Sequence, residues 1–163
     1  MKTALCPGTY DPVTVGHIDT IMRCAAMFDE VVVAVVDLPY RKSVLFSTEE
    51  RAFFLEESTK SLPNVRIAVM RTLVVDFARE VGASVLVKGL RALTDFEYEF
   101  QMAQLNRKLD PELETMYLMA SPEFSFLSSS GVKEIAKYGG SVSDLVPEVV
   151  ERRFREMYGS AEA

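Results

Sequence analysis

One histidine, two cysteines and no purely apolar run longer than residues 31–36 leave this chain poor in several kinds of chemistry. His17 is the sole imidazole, so there is no nucleophilic serine or cysteine with a histidine to spare. Cys6 and Cys24 fall in an expected buried strand and an expected helix, at no metal-ligand spacing and too few for a disulfide framework. They read as core thiols in a reducing compartment. The apolar run is far too short to cross a bilayer, and no charged leader with an apolar stretch and a small-residue cleavage site opens the sequence, so a cytoplasmic protein is expected. Both the Gly-x-x-x-x-Gly-Lys-Ser/Thr loop and the Gly-x-Gly-x-x-Gly fingerprint are missing, and the Glu-rich segments lack a metal-binding pattern. Basic residues are outnumbered, 18 to 24, giving a net charge of −6 that excludes a broad nucleic-acid or anionic-membrane face. A single phosphorylated ligand needs only a few cations, and Lys42, Lys88 and Arg91 stand in expected loops or at element ends.

What the chain does have is the segment Pro7-Gly8-Thr9-Tyr10-Asp11-Pro12-Val13-Thr14-Val15-Gly16-His17, between an apolar run and a helical pattern. Residues 2–6 have the length and apolarity of a buried strand, which Pro7 is expected to end because it cannot donate to a ladder. Gly8 lets a backbone approach a ligand closely. Thr14, Val15 and Gly16 lead into a helix whose first N–H groups lack internal partners, so an anion is drawn to the place where His17 begins. Taken alone, this composition fits an ordinary βα connection with His17 at an exposed helix start. Joined to matching features downstream, it reads as the floor of a nucleotide site.

The 163 residues fit one domain, residues 1–163, with the last few frayed. Residues 30–36 form a second strand, β-branched as a strand covered on both faces should be. Ser47-Thr48-Glu49-Glu50 is a capping box opening a helix over residues 48–62, which buries Phe53, Phe54 and Leu55 in part. A third strand covers 65–70, a helix 73–81 ends at Gly82, and a fourth strand, 84–87, runs into Lys88-Gly89-Leu90-Arg91. In the helix expected over 92–109, Leu93, Phe96, Phe100 and Ala103 make one core-facing stripe bordered by Glu99, although they could equally face another subunit. A fifth strand, 115–119, precedes a serine-rich loop, a helix reaching residue 138, and a last helix from Pro147.

Five strands alternating with helices imply a doubly wound five-stranded parallel α/β sheet, Rossmann-like, with ligands at the carboxyl edge near the switch point. Four polar segments are expected to converge there: the loop at 8–17, Lys42, the Lys88 to Arg91 run, and Phe124-Ser125-Phe126-Leu127-Ser128-Ser129-Ser130. The cations flanking Gly89 suit a di- or triphosphate, and three serines at a helix start suit phosphate oxygens, although each segment alone also fits a solvated loop or a cap.

These segments, with Asp95-Phe96-Glu97-Tyr98-Glu99, resemble the bacterial phosphopantetheine adenylyltransferase family of the nucleotidylyltransferase superfamily, in order and over residues 2–148. The resemblance implies transfer of adenylate from ATP to 4′-phosphopantetheine, giving dephospho-coenzyme A and pyrophosphate. It also implies a magnesium requirement, a homohexamer and feedback inhibition by coenzyme A. By position, Thr9, Lys42, Val74 and Lys88 would contact phosphopantetheine. Thr9, Tyr10, His17, Gly89, Leu90, Arg91, Glu99 and residues Phe124, Ser125, Phe126, Leu127, Ser128, Ser129 and Ser130 would contact ATP, with His17, Lys42 and Arg91 catalytic. The chain departs from the family pattern at Lys88, where arginine is usual, at Val15, often asparagine, and at Phe124, often tryptophan or tyrosine. The segment 37–43 also lacks the usual asparagine and second lysine.

Overall fold

In a computed structural model, which describes residues 2–39 and 43–159, the elements run β1 (Thr3–Gly8), α1 (Val15–Ala25), β2 (Glu30–Val36), α2 (Thr48–Thr59), β3 (Val65–Met70), α3 (Val74–Val81), β4 (Val85–Leu90), α4 (Leu93–Leu109), β5 (Glu114–Met119), a 3₁₀ turn (Pro122–Phe124), α5 (Ser129–Lys137) and α6 (Glu148–Tyr158). The five strands pair in parallel in the order β3-β2-β1-β4-β5. The chain winds outward from β1 to β3, then returns to the other side of β1, and that reversal is the switch point where ligands of such sheets lodge.

Period-two alternation sends the valines of β2 to both faces. Val31, Val33 and Val35 join Ile21 and Cys24 of α1, Phe54 and Leu55 of α2, Val132 of α5 and Phe154 of α6 in one core layer. Val32 and Ala34 meet Val75, Phe77 and Ala78 of α3 on the other face. Ser47 caps α2 as expected: its hydroxyl accepts the Glu50 N–H and the Glu50 carboxylate accepts the Ser47 N–H. Gly82, at φ 70°, closes α3 in the left-handed conformation that glycine adopts at little cost.

Three expectations need correction. Pro7 does not end β1, which continues to Gly8 opposite Val35. The Thr3 carbonyl accepts from Ser84 ahead of β4, and the Lys2 carbonyl from Glu30 on the β2 side, so odd residues of β1 face β4. The β1–β4 register stops at Leu5↔Leu86, so the N–H that Pro7 lacks points past the end of a ladder. Second, β4 does not stop at residue 87: Lys88 and Gly89 lie within its last residues, paired with Tyr117 and Leu118 of β5. Third, the apolar stripe of α4 does not face the core. Leu93 is 86% exposed, Phe96 and Phe100 stack on each other at 5.7 Å with large exposed surfaces, and the buried residue of this helix is Asn106.

β1 matches β2 along its whole length but β4 only at Ala4↔Val85 and Leu5↔Leu86. The central strands therefore part before their carboxyl ends and open a crevice. Its floor is held by Arg51 of α2, whose side chain has 0% exposure. The guanidinium donates to the carbonyls of Thr9 (2.9 Å), Val36 (2.8 Å), Asp37 (3.0 Å) and, through Nε, Phe46 (3.1 Å), and to the Thr48 hydroxyl (3.0 Å). Arg51→Met would strand several buried carbonyls without donors, and the expected loss is about 3 kcal/mol or more. It should register as a lower urea midpoint at unchanged slope, and a midpoint equal to wild type would show that water replaces the donors.

Candidate active site

The loop from Thr9 to Thr14 is shaped by its own side chains. Tyr10 takes φ 50° and turns its ring inward, where its hydroxyl donates to the Cys6 carbonyl (3.0 Å). Burial raises the Tyr10 phenol well above its ordinary pKa, so it stays a neutral donor. A Cβ on Gly8 would stand 2.8 Å from that ring, so Tyr10 by itself requires glycine here. The Tyr10 ring is thus unavailable to a nucleotide, and only the main chain of this residue can face one.

Thr14 caps α1 in a reciprocal pair with His17. The His17 N–H donates to Thr14 Oγ1 (3.3 Å), and the Thr14 N–H donates to His17 Nδ1 (3.0 Å). A ring nitrogen that accepts a main-chain N–H carries no proton, so the neutral imidazole holds its proton on Nε2. The Tyr10 ring stands edge-on to the imidazole at 5.2 Å. A capping box normally uses Glu or Gln at this position, so a histidine at the third turn position brings an N–H donor to a helix end that already attracts anions.

Across the crevice, Arg91 follows β4. Its Nε and Nη2 meet Asp95 at 3.2 Å each, and Nη1 donates to the Leu127 carbonyl (2.9 Å). A guanidinium has five donors, so two N–H groups remain for an incoming oxyanion. Burial pushes the Asp95 carboxyl up, but hydrogen bonds and charge from Arg91 more than offset it, and its pKa lies below the usual value. The pair is therefore intact above the unfolded carboxylate pKa and lost only as pH falls through the lowered folded one. Lys88 Nζ lies 3.1 Å from Glu99 Oε2, an ion pair without hydrogen-bond alignment. Asp95 and Glu99, one turn apart on α4, thus neutralise the two cations of this rim. The Tyr117 hydroxyl donates to the Glu99 carbonyl (2.9 Å), and its pKa is raised by burial and then by the Glu99 charge.

The serine-rich segment closes the third side. Ser128 caps α5 by accepting the Gly131 N–H (3.0 Å), Ser129 donates to the Pro12 carbonyl (2.8 Å), and Ser130 is exposed. Ser125 donates to Pro122 (3.0 Å), Phe126 is exposed and Leu127 is buried in the core. Phe124 lies against Gly16, where a Cβ would come within 3.3 Å of its own. Gly89 passes Thr20 of α1 as closely, at 3.3 Å, and Leu90 is buried at the end of β4. Val74 opens α3 beyond the end of β3 and packs on the second core layer. Thr9 is half-buried, its carbonyl held by Arg51. The β1 loop, the β4 end and the start of α5 therefore meet. Lys42 lies outside the described residues.

Sequence reasoning missed the charges underneath. Arg51, Asp11 and Lys133 are buried or half-buried and tied to the loop, with Lys133 Nζ 2.7 Å from Asp11 Oδ2. An arginine in the second turn of a helix and a lysine on α5 both read as solvent-facing, and the aspartate reads as a turn residue.

A family model described as cytidylyltransferase-like matches residues 5–135. The phosphopantetheine adenylyltransferase of Desulforudis audaxviator is 52% identical over 159 residues, covering 98% of this chain and 97% of the relative. That of Rubrobacter xylanophilus is 52% identical over 162 residues (99% and 98%), and that of Caldanaerobacter subterraneus subsp. tengcongensis is 50% identical over 158 (97% and 98%). A crystal structure assigned to a nicotinate-nucleotide adenylyltransferase of Vibrio parahaemolyticus superposes with a TM-score of 0.72 at 17% identity, over 94% of this chain and 99% of that one, a likeness of fold. With near-complete coverage at half identity, and with the loop, the capping histidine and the crevice where the sheet reverses, this chain belongs to the phosphopantetheine adenylyltransferase family of cytidylyltransferase-like proteins.

Proposed function

We propose that this protein transfers adenylate from ATP to the phosphate of 4′-phosphopantetheine, giving dephospho-coenzyme A and pyrophosphate. The observation that carries the reading is the meeting, at one crevice, of the α1 start with His17, the Arg91 fork and the α5 start with Ser128. In this reading ATP lies along Thr9, the Tyr10 main chain, His17, Gly89, Leu90, Arg91, Glu99 and residues 124–130. Phosphopantetheine is held by Thr9, Lys42, Val74 and Lys88.

The acceptor phosphate has a second pKa of about 6, so it is already ionised at neutral pH and needs no general base. The obstacle is the approach of two anions and the charge that grows around the α-phosphorus. The His17 imidazole, the two remaining N–H groups of Arg91 and the charge of Lys42 meet it in this reading, with the N-termini of α1 and α5 at the same rim. An incoming phosphate replaces Glu99 as the partner of Lys88. Among the described residues no group of three His, Cys, Asp or Glu could hold a metal, and Asp11, Asp95 and Glu99 are each paired with a cation. That donor set fits magnesium arriving on the nucleotide phosphates with its waters. Bound there, it supplies charge shielding for the leaving pyrophosphate.

The homohexamer, feedback inhibition by coenzyme A and a cytoplasmic location are parts of the same proposal. Self-association is supported by the exposed stripe of Leu93, Phe96 and Phe100 on α4, and a reducing compartment by the free thiols of Cys6 and Cys24.

Pyrophosphate release from ATP and 4′-phosphopantetheine, followed beside CTP and nicotinate mononucleotide controls, should be seen with the first pair alone. Activity with a control pair and none with the first would overturn the assignment. EDTA should abolish the release and added magnesium restore it. His17→Ala should lower kcat on the order of 10²-fold or more while ATP affinity falls less, and wild-type turnover would refute the role given to the imidazole. In sedimentation equilibrium the protein should have the mass of six chains and the Phe96→Ser/Phe100→Ser variant a smaller one, whereas a monomeric wild type would end the hexamer proposal.

A further inference from the structure

Asp11 is 4% exposed, yet its carboxylate is fully engaged. Oδ1 accepts the Phe46 N–H at 2.9 Å, both oxygens lie within 3.1 Å of the Leu45 N–H, and Oδ2 meets Lys133 Nζ at 2.7 Å. Two consecutive amides just ahead of the Ser47 cap thus converge on one side chain of the β1–α1 loop. On the other flank the same loop is tied to α5 twice, by Lys133 to Asp11 and by the Ser129 hydroxyl to the Pro12 carbonyl at 2.8 Å. The Arg51 guanidinium adds its charge to the same cluster.

We infer that Asp11, through its ion pair with Lys133, is a positioning residue for adenylyl transfer. It sets the His17 loop, the entry to α2 and the serine-bearing start of α5 in one mutual arrangement. The inference rests on the functional reading above and deepens it. A buried ion pair gains little stability over well-packed apolar side chains, so its stabilising effect does not account for it. Its distinctive property is direction: a carboxylate closed on two amides and one ammonium admits a single placement of three segments. Those segments carry or steady the groups said to surround the α-phosphorus: His17 on the loop, the start of α5 that Ser128 caps, and Arg91, whose Nη1 donates to the Leu127 carbonyl just ahead of it. Displacing such groups by about 1 Å costs on the order of 10²-fold in rate. Two amides and an ammonium close off the Asp11 carboxylate, so its effect falls on turnover and not on substrate affinity.

The test uses the full-length protein with ATP, 4′-phosphopantetheine and magnesium. Asp11→Asn keeps the shape and an acceptor for the amides but loses the charge. It should lower kcat about tenfold or more, with the KM for ATP within about threefold; because one buried partner is lost, Tm falls as well, and kcat is read well below the lowered Tm. Lys133→Met should behave alike, and because the two residues act as one unit the double variant should lose no more than either single one. Lys133→Arg, which keeps the charge, should recover most of the turnover. If Asp11→Asn does not fold, Lys133→Met and its arginine counterpart decide the matter. Wild-type kcat in the folded variants would overturn the inference, as would a loss of kcat that tracks Tm without rescue by arginine. An inactive wild-type protein would overturn the functional reading and this inference with it, whereas an active wild type with indifferent variants overturns the inference alone.

Discussion

The crevice depends on a charge that never meets solvent. Arg51 reaches from α2 under the ends of β1 and β2 and gathers the carbonyls of Thr9, Val36 and Asp37, where the strands run out, and that of Phe46 ahead of α2. An apolar side chain in that position could fill the space but not satisfy the oxygens. Once Thr9 and the chain ahead of α2 are fixed, the short span from Tyr10 to Thr14 has few conformations left, and the His17–Thr14 cap selects among them.

Around that base the site is assembled from ends rather than from the middles of elements. Two helix N-termini and two strand ends bring backbone N–H groups and cations to one rim, an arrangement suited to a polyanion. Among the described residues three cations here are already partnered within the protein: Lys88 with Glu99, Arg91 with Asp95, Lys133 with Asp11. The partners differ in kind. Asp11 is closed on two amides, whereas Asp95 and Glu99 sit at the border of a helix with one buried residue.

Much of this was legible in the chain because local chemistry and tertiary context agree there. The valines of β2, the Ser47 box and the Gly82 stop each specify their element alone, and the order of strands and helices fixes the parallel sheet and the edge on which ligands sit. The misreadings come where the decision belongs to a neighbour. Whether Pro7 ends a strand depends on whether β4 still has an acceptor opposite it, and it does not. Whether Phe96 and Phe100 face inward depends on how α4 lies over β4 and α3, which helical periodicity does not encode. At Gly8 the group that presses on the missing Cβ is Tyr10, a contact that the local sequence does not reveal. Arg51 and Lys133 escape a reading of the sequence because a charged residue on a helix gives the same signal whether water or a carbonyl cage receives it.

Helix α4 has two edges with unrelated duties: aromatic rings point outward while acidic groups lean over the rim toward Lys88 and Arg91. A seventeen-residue helix moves as one rod. Whatever leans on its outer surface therefore also dictates how near its carboxylates stand to the cations inside, so crowding on one flank and charge on the other are mechanically a single variable.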